Sequence, residues 1–173
     1  FDVSKNPIRE ALFLLKGEGL IIFETNKGAM VSTLTTEQLD ELFSLKTLLS
    51  TELLAASLPH ISNEKLDEAK SLLAHFELAT SASNWSQLNT QYYQCLYSGI
   101  NRPQTIEVLS TLTTKIARYH HLYFVNTADK TTIHASFAML LEYCYQRKIE
   151  QAITQLQQHI LYIKTKIKVL CMS

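Results

Sequence analysis

Breakers of regular structure are scarce, with 4 Gly and 3 Pro among 173 residues and only Gly99 and Pro103 beyond residue 60. The C-terminal two-thirds thus holds almost nothing that stops a helix, which excludes a turn-rich β fold there. Net charge is missing too, because 16 Lys+Arg offset 16 Asp+Glu, and no whole-chain field marks the protein for nucleic acid or membrane. Three cysteines, Cys95, Cys144 and Cys171, stand far apart without CxxC spacing. That pattern excludes a disulfide framework or a zinc ribbon and suits the reducing cytoplasm. No apolar run approaches the roughly 18 residues of a transmembrane helix. Phe1-Asp2-Val3-Ser4-Lys5 lacks the charged-then-apolar layout of a signal peptide. No nucleophile–base spacing, phosphate loop or HExxH pattern occurs, which speaks against an enzyme. What is abundant is apolar side chain, 46% of the chain, enough to bury a core and to exclude a disordered polymer.

Two regimes divide the sequence. In residues 1–34, Ser4 suits an N-cap and Pro7 the first helical turn that follows. Ile8, Ala11, Leu12 and Leu15 recur at helical spacing before Gly17 and Gly19 end the pattern. Residues 20–23 and 29–32 read as strands joined by Thr25-Asn26-Lys27-Gly28. A short helix followed by a hairpin is half of a winged helix-turn-helix.

From Thr35 onward the period is helical. Thr35 and Gln38 form a capping box opening a helix to about Leu58, and Ser62 caps a second through Phe76. A third is expected from Asn84 to near Gly99 and a fourth from Pro103 to about Tyr123. A fifth spans roughly Asp129–Gln146 and a sixth Glu150–Lys168. The expectation is a mainly α protein: a partial winged helix-turn-helix over residues 1–34, then an antiparallel six-helix bundle over residues 35–173.

The string Val3-Ser4-Lys5-Asn6-Pro7-Ile8-Arg9-Glu10-Ala11-Leu12, with Leu15, Glu18-Gly19-Leu20 and Asn26-Lys27-Gly28-Ala29-Met30-Val31, resembles the winged-helix domain of GntR-family transcription regulators. The helical remainder resembles the FCD-type sensing domain of the FadR subfamily. The resemblance implies two further helices ahead of Val3, so the chain reads as N-terminally truncated and its DNA-binding domain as incomplete. It also implies a cytoplasmic homodimer that binds double-stranded operator DNA and answers to a small-molecule effector, without membrane association. Ser4, Lys5, Asn6 and Arg9 would form the reading head, with Arg9 suited to a bidentate contact with guanine. Lys27 and Gly28 would bring the hairpin tip to the minor groove or backbone. The alternative is a helical protein-interaction scaffold, which has no need of Arg9 or a Gly-tipped hairpin.

Many FCD-type domains hold a divalent metal through an Asp, a His four residues later, and one His from each of two later helices. The resemblance places Asn89, Tyr93, Phe137 and His159 at those positions, so three of the four ligands are replaced. An amide, a phenol, a phenyl ring and one imidazole make no tight site, and no metal cofactor is expected. His134, one helical turn before Phe137, offers at most a weak pair with His159. Otherwise His159 is expected to be buried and bonded to Tyr93 or Asn89. Lys46 stands where the family often has Arg, and Ser50 where it often has Glu; Lys46 neutralises a carboxylate as a point charge. Lys46, Asn89, Tyr93, His134 and His159 are therefore the candidate effector-binding residues, for a small organic acid or a more apolar metabolite. His60, His75, His120 and His121 read as surface residues.

Overall fold

A computed structural model of the chain describes residues 5–17, 19–32, 35–79, 81–124 and 128–172. Ser4 lies outside the described residues, as do the side chains of Lys5, His120 and His121. The chain divides into two units, Phe1–Gln38 and Leu39–Ser173.

In the first unit, α1 (Lys5–Gly17) is followed by β1 (Ile21–Glu24) and β2 (Gly28–Val31). Gly17 is the last helical residue, and the stop itself lies at Gly19, which takes φ 72°. Its N–H donates to Lys16 O (2.9 Å) while Leu20 N–H donates to Leu15 O (2.9 Å), a Schellman ending that satisfies the last carbonyls. The strands are antiparallel, with Ile21 opposite Val31 and Glu24 opposite Gly28. Both lie within one residue of the sequence-based bounds. The turn needs left-handed backbone, supplied by Asn26 (φ 67°) and Gly28 (φ 80°). Phe13 packs on Phe23 with ring centroids 6.0 Å apart, joining helix to hairpin.

Six helices make up the rest: α2 (Thr36–Ser57), α3 (Asn63–Leu78), α4 (Ala82–Leu96), α5 (Pro103–Phe124), α6 (Ala128–Tyr145) and α7 (Ile149–Met172). The capping box that opens α2 is reciprocal: Thr35 N–H donates to Gln38 Oε1 (2.9 Å) and Gln38 N–H to Thr35 Oγ1 (3.3 Å). Ser62 caps α3 by accepting from Lys65 N–H. α4 starts earlier than Asn84, because Ser81 supplies the cap oxygen and Asn84 N–H donates to it. α7 continues past Lys168 because Val169–Met172 contains no breaker.

α3 packs on α4 and α6, α6 on α7, and α5 on both α4 and α7. Leu53, Leu54, Leu66, Tyr92, Leu96, Ile116, Leu140 and Leu156 are fully buried. Phe137 joins them, its ring centroid 4.8 Å from that of Tyr92 and 5.2 Å from that of Phe76. Tyr92 donates its hydroxyl proton to Phe137 O (2.9 Å), so the polar end of this aromatic core is satisfied.

Two joints hold the helix ends. Gly99 N–H donates to Ser57 Oγ (2.9 Å), which donates in turn to Leu96 O (2.7 Å). A Cβ at Gly99 would collide with Ser57 O and lie 2.7 Å from Ile61 N, so only glycine permits this approach. Arg147 adopts φ 55° just after α6 and sends its guanidinium to Leu58 O (3.4 Å), Ile61 O (2.8 Å) and Asn63 Oδ1 (3.0 Å). No helix among the described residues is long and apolar enough to cross a membrane.

Candidate functional site

α2, α4 and α5 enclose a cavity of about 190 Å³. α2 contributes Lys46 and Ser50, one helical turn apart, and α4 contributes Asn89, Tyr93 and Tyr97 at successive i, i+4 positions. α5 closes the wall with Ile106, Leu109, Thr113 and Ala117 among others. Lys46 is buried, at 8% exposure, and no hydrogen bond or ion pair of its ammonium occurs among the described residues. Burial therefore pushes it down from 10.5 to about 8. Burial also raises the Tyr93 and Tyr97 phenols, which stay neutral. The Tyr97 hydroxyl is fully enclosed and has no hydrogen-bond partner. Ser50 is near enough to temper that rise through its side chain, although the pair falls short of full hydrogen-bond geometry.

His159, on α7, does not line this cavity. Its ring lies 4.3 Å from that of Phe137, whose centroid is 6.0 Å from Tyr93. The phenyl ring thus separates the imidazole from α4, and His159 does not bond to Tyr93 or Asn89 as the sequence suggests. Its Nδ1 instead meets Ser136 Oγ at 3.0 Å, and Ser136 also accepts from Gln155 Nε2 at 3.0 Å. Burial, reinforced by the Lys46 charge, holds the imidazole down to about 3 and neutral. His134 lies elsewhere again, in a groove between α3 and α6 beside Asp67, Lys70, Glu142 and Tyr145. The His134/His159 pair is not assembled. His60 and His75 are exposed.

These positions do not fit a divalent metal. Phe137 offers only carbon and is packed into the aromatic core, while His159 faces Ser136. Among the described residues no group of three His, Cys, Asp or Glu converges on a point.

On the first unit, Asn6 and Arg9 are exposed and share a face of α1 at i, i+3 spacing. Lys27, exposed at the hairpin tip, pairs with Glu24 at 2.8 Å. Gly28 beside it has open space where a side chain would stand.

Residues 41–162 match the FCD domain model, well over half of the chain. The chain belongs to the FCD-type GntR family of transcription regulators. Among curated relatives, the uncharacterized HTH-type transcriptional regulator BphR of Paraburkholderia xenovorans (strain LB400) is 22% identical over 171 residues, covering 92% of this chain and 69% of BphR. A GntR-family regulator from Pseudomonas syringae pv. tomato str. DC3000 superposes with a TM-score of 0.70 at 24% identity, covering 100% of this chain and 73% of that one. E. coli McbR/YncC gives a TM-score of 0.80 at 19% identity, covering 99% and 87% respectively. As an FCD-type GntR regulator the chain belongs with transcription factors rather than enzymes.

Sequence reasoning brought Lys46, Asn89 and Tyr93 to one cavity and missed Tyr97, although it continues the 89–93 spacing by one more turn. Ser136 and Gln155 carried no such signal. Their roles depend on how α6 and α7 face each other.

Proposed function

We propose that this FCD-type regulator binds operator DNA as a homodimer in the cytoplasm and responds to a small organic effector held between α2, α4 and α5. The observation that carries this reading is the convergence of Lys46, Asn89 and Tyr93 on one cavity in a chain of this family. That site works without a metal, through hydrogen bonds, one cation and apolar packing. Asn6 and Arg9, with Ser4 and Lys5 ahead of them, read base edges and phosphates, while Lys27 and Gly28 bring the hairpin tip to the backbone. The two sets of charges in residues 1–34 balance, so affinity comes from placement and from doubling in the dimer rather than from net charge. Effector occupancy shifts helix packing in the second unit and thereby the population able to bind DNA. Gel shift against a DNA pool enriched by repeated selection tests the reading. Arg9→Ala is expected to weaken binding about 10–100-fold and to relax base preference, the effect of losing a bidentate base contact. Selection yielding no preferred site, or affinity unchanged by that substitution, refutes it.

A further inference from the structure

One carboxylate ties the start of α2 to the later turns of α7. Lys168 Nζ donates to Asp40 Oδ2 at 2.8 Å and to Oδ1 at 3.0 Å, and Lys164 Nζ meets Oδ1 at 2.9 Å. Lys164 and Lys168 stand one helical turn apart, so both ammoniums reach the same group. Lys168 first and Lys164 second hold the Asp40 carboxyl below its usual range. Exposed ion pairs are weak singly, and a network of several charges is the exception. The three side chains remain 24–41% exposed, so salt screens them. The chain passes from the first unit to the second between Gln38 and Leu39, inside the first turn of α2, and Asp40 is the first charged residue beyond that boundary. Leu39 and Phe43 anchor this stretch in the core, but less than two turns further on α2 borders the cavity with Lys46 and Ser50. Its joint at Ser57 and the Arg102–Glu52 pair gather toward the opposite end.

We infer that Asp40, Lys164 and Lys168 form an ionic latch that holds the first turns of α2 to α7, and that opening it weakens operator binding, a coupling that rests on the operator reading above. The physical link is covalent. α2 continues directly from the unit that carries Arg9 and the hairpin, and disorder at its start must be removed again when paired reading heads engage one operator.

Hydrogen exchange of the full chain tests the latch. Asp40→Asn keeps the shape and one acceptor oxygen but drops the charge. It is expected to speed amide exchange in residues 39–46 about 3–10-fold while leaving the cores of α3, α4 and α6 unchanged. Raising salt from about 0.05 to about 0.5 M is expected to do the same to wild type and little to the variant. Lys164→Met with Lys168→Met is expected to loosen the same residues, and the swap Asp40→Lys with Lys164→Glu and Lys168→Glu to restore their protection. In a gel shift at constant salt, Asp40→Asn is expected to weaken binding to the selected operator about 3–10-fold. Exchange at 39–46 that ignores both substitution and salt, or a charge swap that restores nothing, overturns the latch. Loosened exchange with unaltered operator affinity overturns its link to DNA binding. Failure of the wild-type chain to select any operator overturns the operator reading and the coupling with it, while the exchange pattern still decides the latch.

Discussion

Replacing Lys46 with methionine removes the charge while keeping an unbranched apolar stem of similar volume, so it isolates the cost of burying an unpaired ammonium. The folded state holds that group at about 8 against 10.5 for a free lysine. At 1.36 kcal/mol per tenfold change in proton affinity, the penalty amounts to about 3 kcal/mol at neutral pH. Solvent reaching the ammonium through the cavity mouth reduces this, so Lys46→Met is expected to gain about 1–3 kcal/mol. For a chain of this size the gain corresponds to a rise in Tm of about 5 °C. The sign with pH follows directly. Below about 8, both folded and unfolded wild type carry the proton and the penalty is fully present. Between there and 10.5, the unfolded chain binds more protons, so wild-type stability rises with pH and the advantage of the variant shrinks. The buried tyrosines occur in both proteins and cancel in the difference. Urea denaturation of wild type and Lys46→Met from pH 7 to 10 measures it. A variant less stable than wild type at pH 7, or an advantage that stays constant across that range, refutes the assignment of Lys46 as an unpaired buried cation.

Gly99→Ala forces a methyl group into the Ser57 carbonyl and is expected to cost about 2–3 kcal/mol by overpacking, read as a lowered denaturation midpoint. An unchanged midpoint would mean the α2–α4 joint is looser than described. Arg147→Ala loses three hydrogen bonds and keeps the left-handed backbone. Arg147→Gly loses the same bonds and relieves the strain, so its melting is expected to show about 1 kcal/mol more stability than the alanine variant. Phe137→Ala empties the centre of the aromatic core and is expected to lose about 3–5 kcal/mol in equilibrium unfolding. Micromolar Zn²⁺ is expected to leave the melting temperature of the full chain unchanged, whereas a rise of several degrees would reveal ligands other than Asn89, Tyr93, Phe137 and His159.

Local chemistry was legible wherever neighbours in sequence are neighbours in space. The Thr35/Gln38 box, the Ser62 cap and Pro103 at the head of α5 all act within one turn of the chain, and each stands where composition places it. The start of α4 was misjudged because Ser81 and Asn84 are both acceptable caps, and only the hydrogen bond between them decides which one caps. Asn89–Tyr93 and Lys46–Ser50 were reached through the resemblance to FCD-type domains, and their i, i+4 spacing keeps each pair on one face of its helix.

The residues by themselves give a mainly helical chain with a short helix and hairpin ahead of a bundle, and their resemblance to FCD-type GntR regulators adds the regulator reading and sets Asn89, Tyr93 and Phe137 at three of the four positions where many of that family hold a metal. The packed fold alone decides that Lys46 is buried with no counter-charge among the described residues, that the Tyr97 hydroxyl is enclosed, and that His159 turns to Ser136 rather than to α4. Those outcomes depend on which side chains from distant helices share a few ångströms of water-poor space. Burial and partnering there are properties of the whole packing, and no window of sequence contains them.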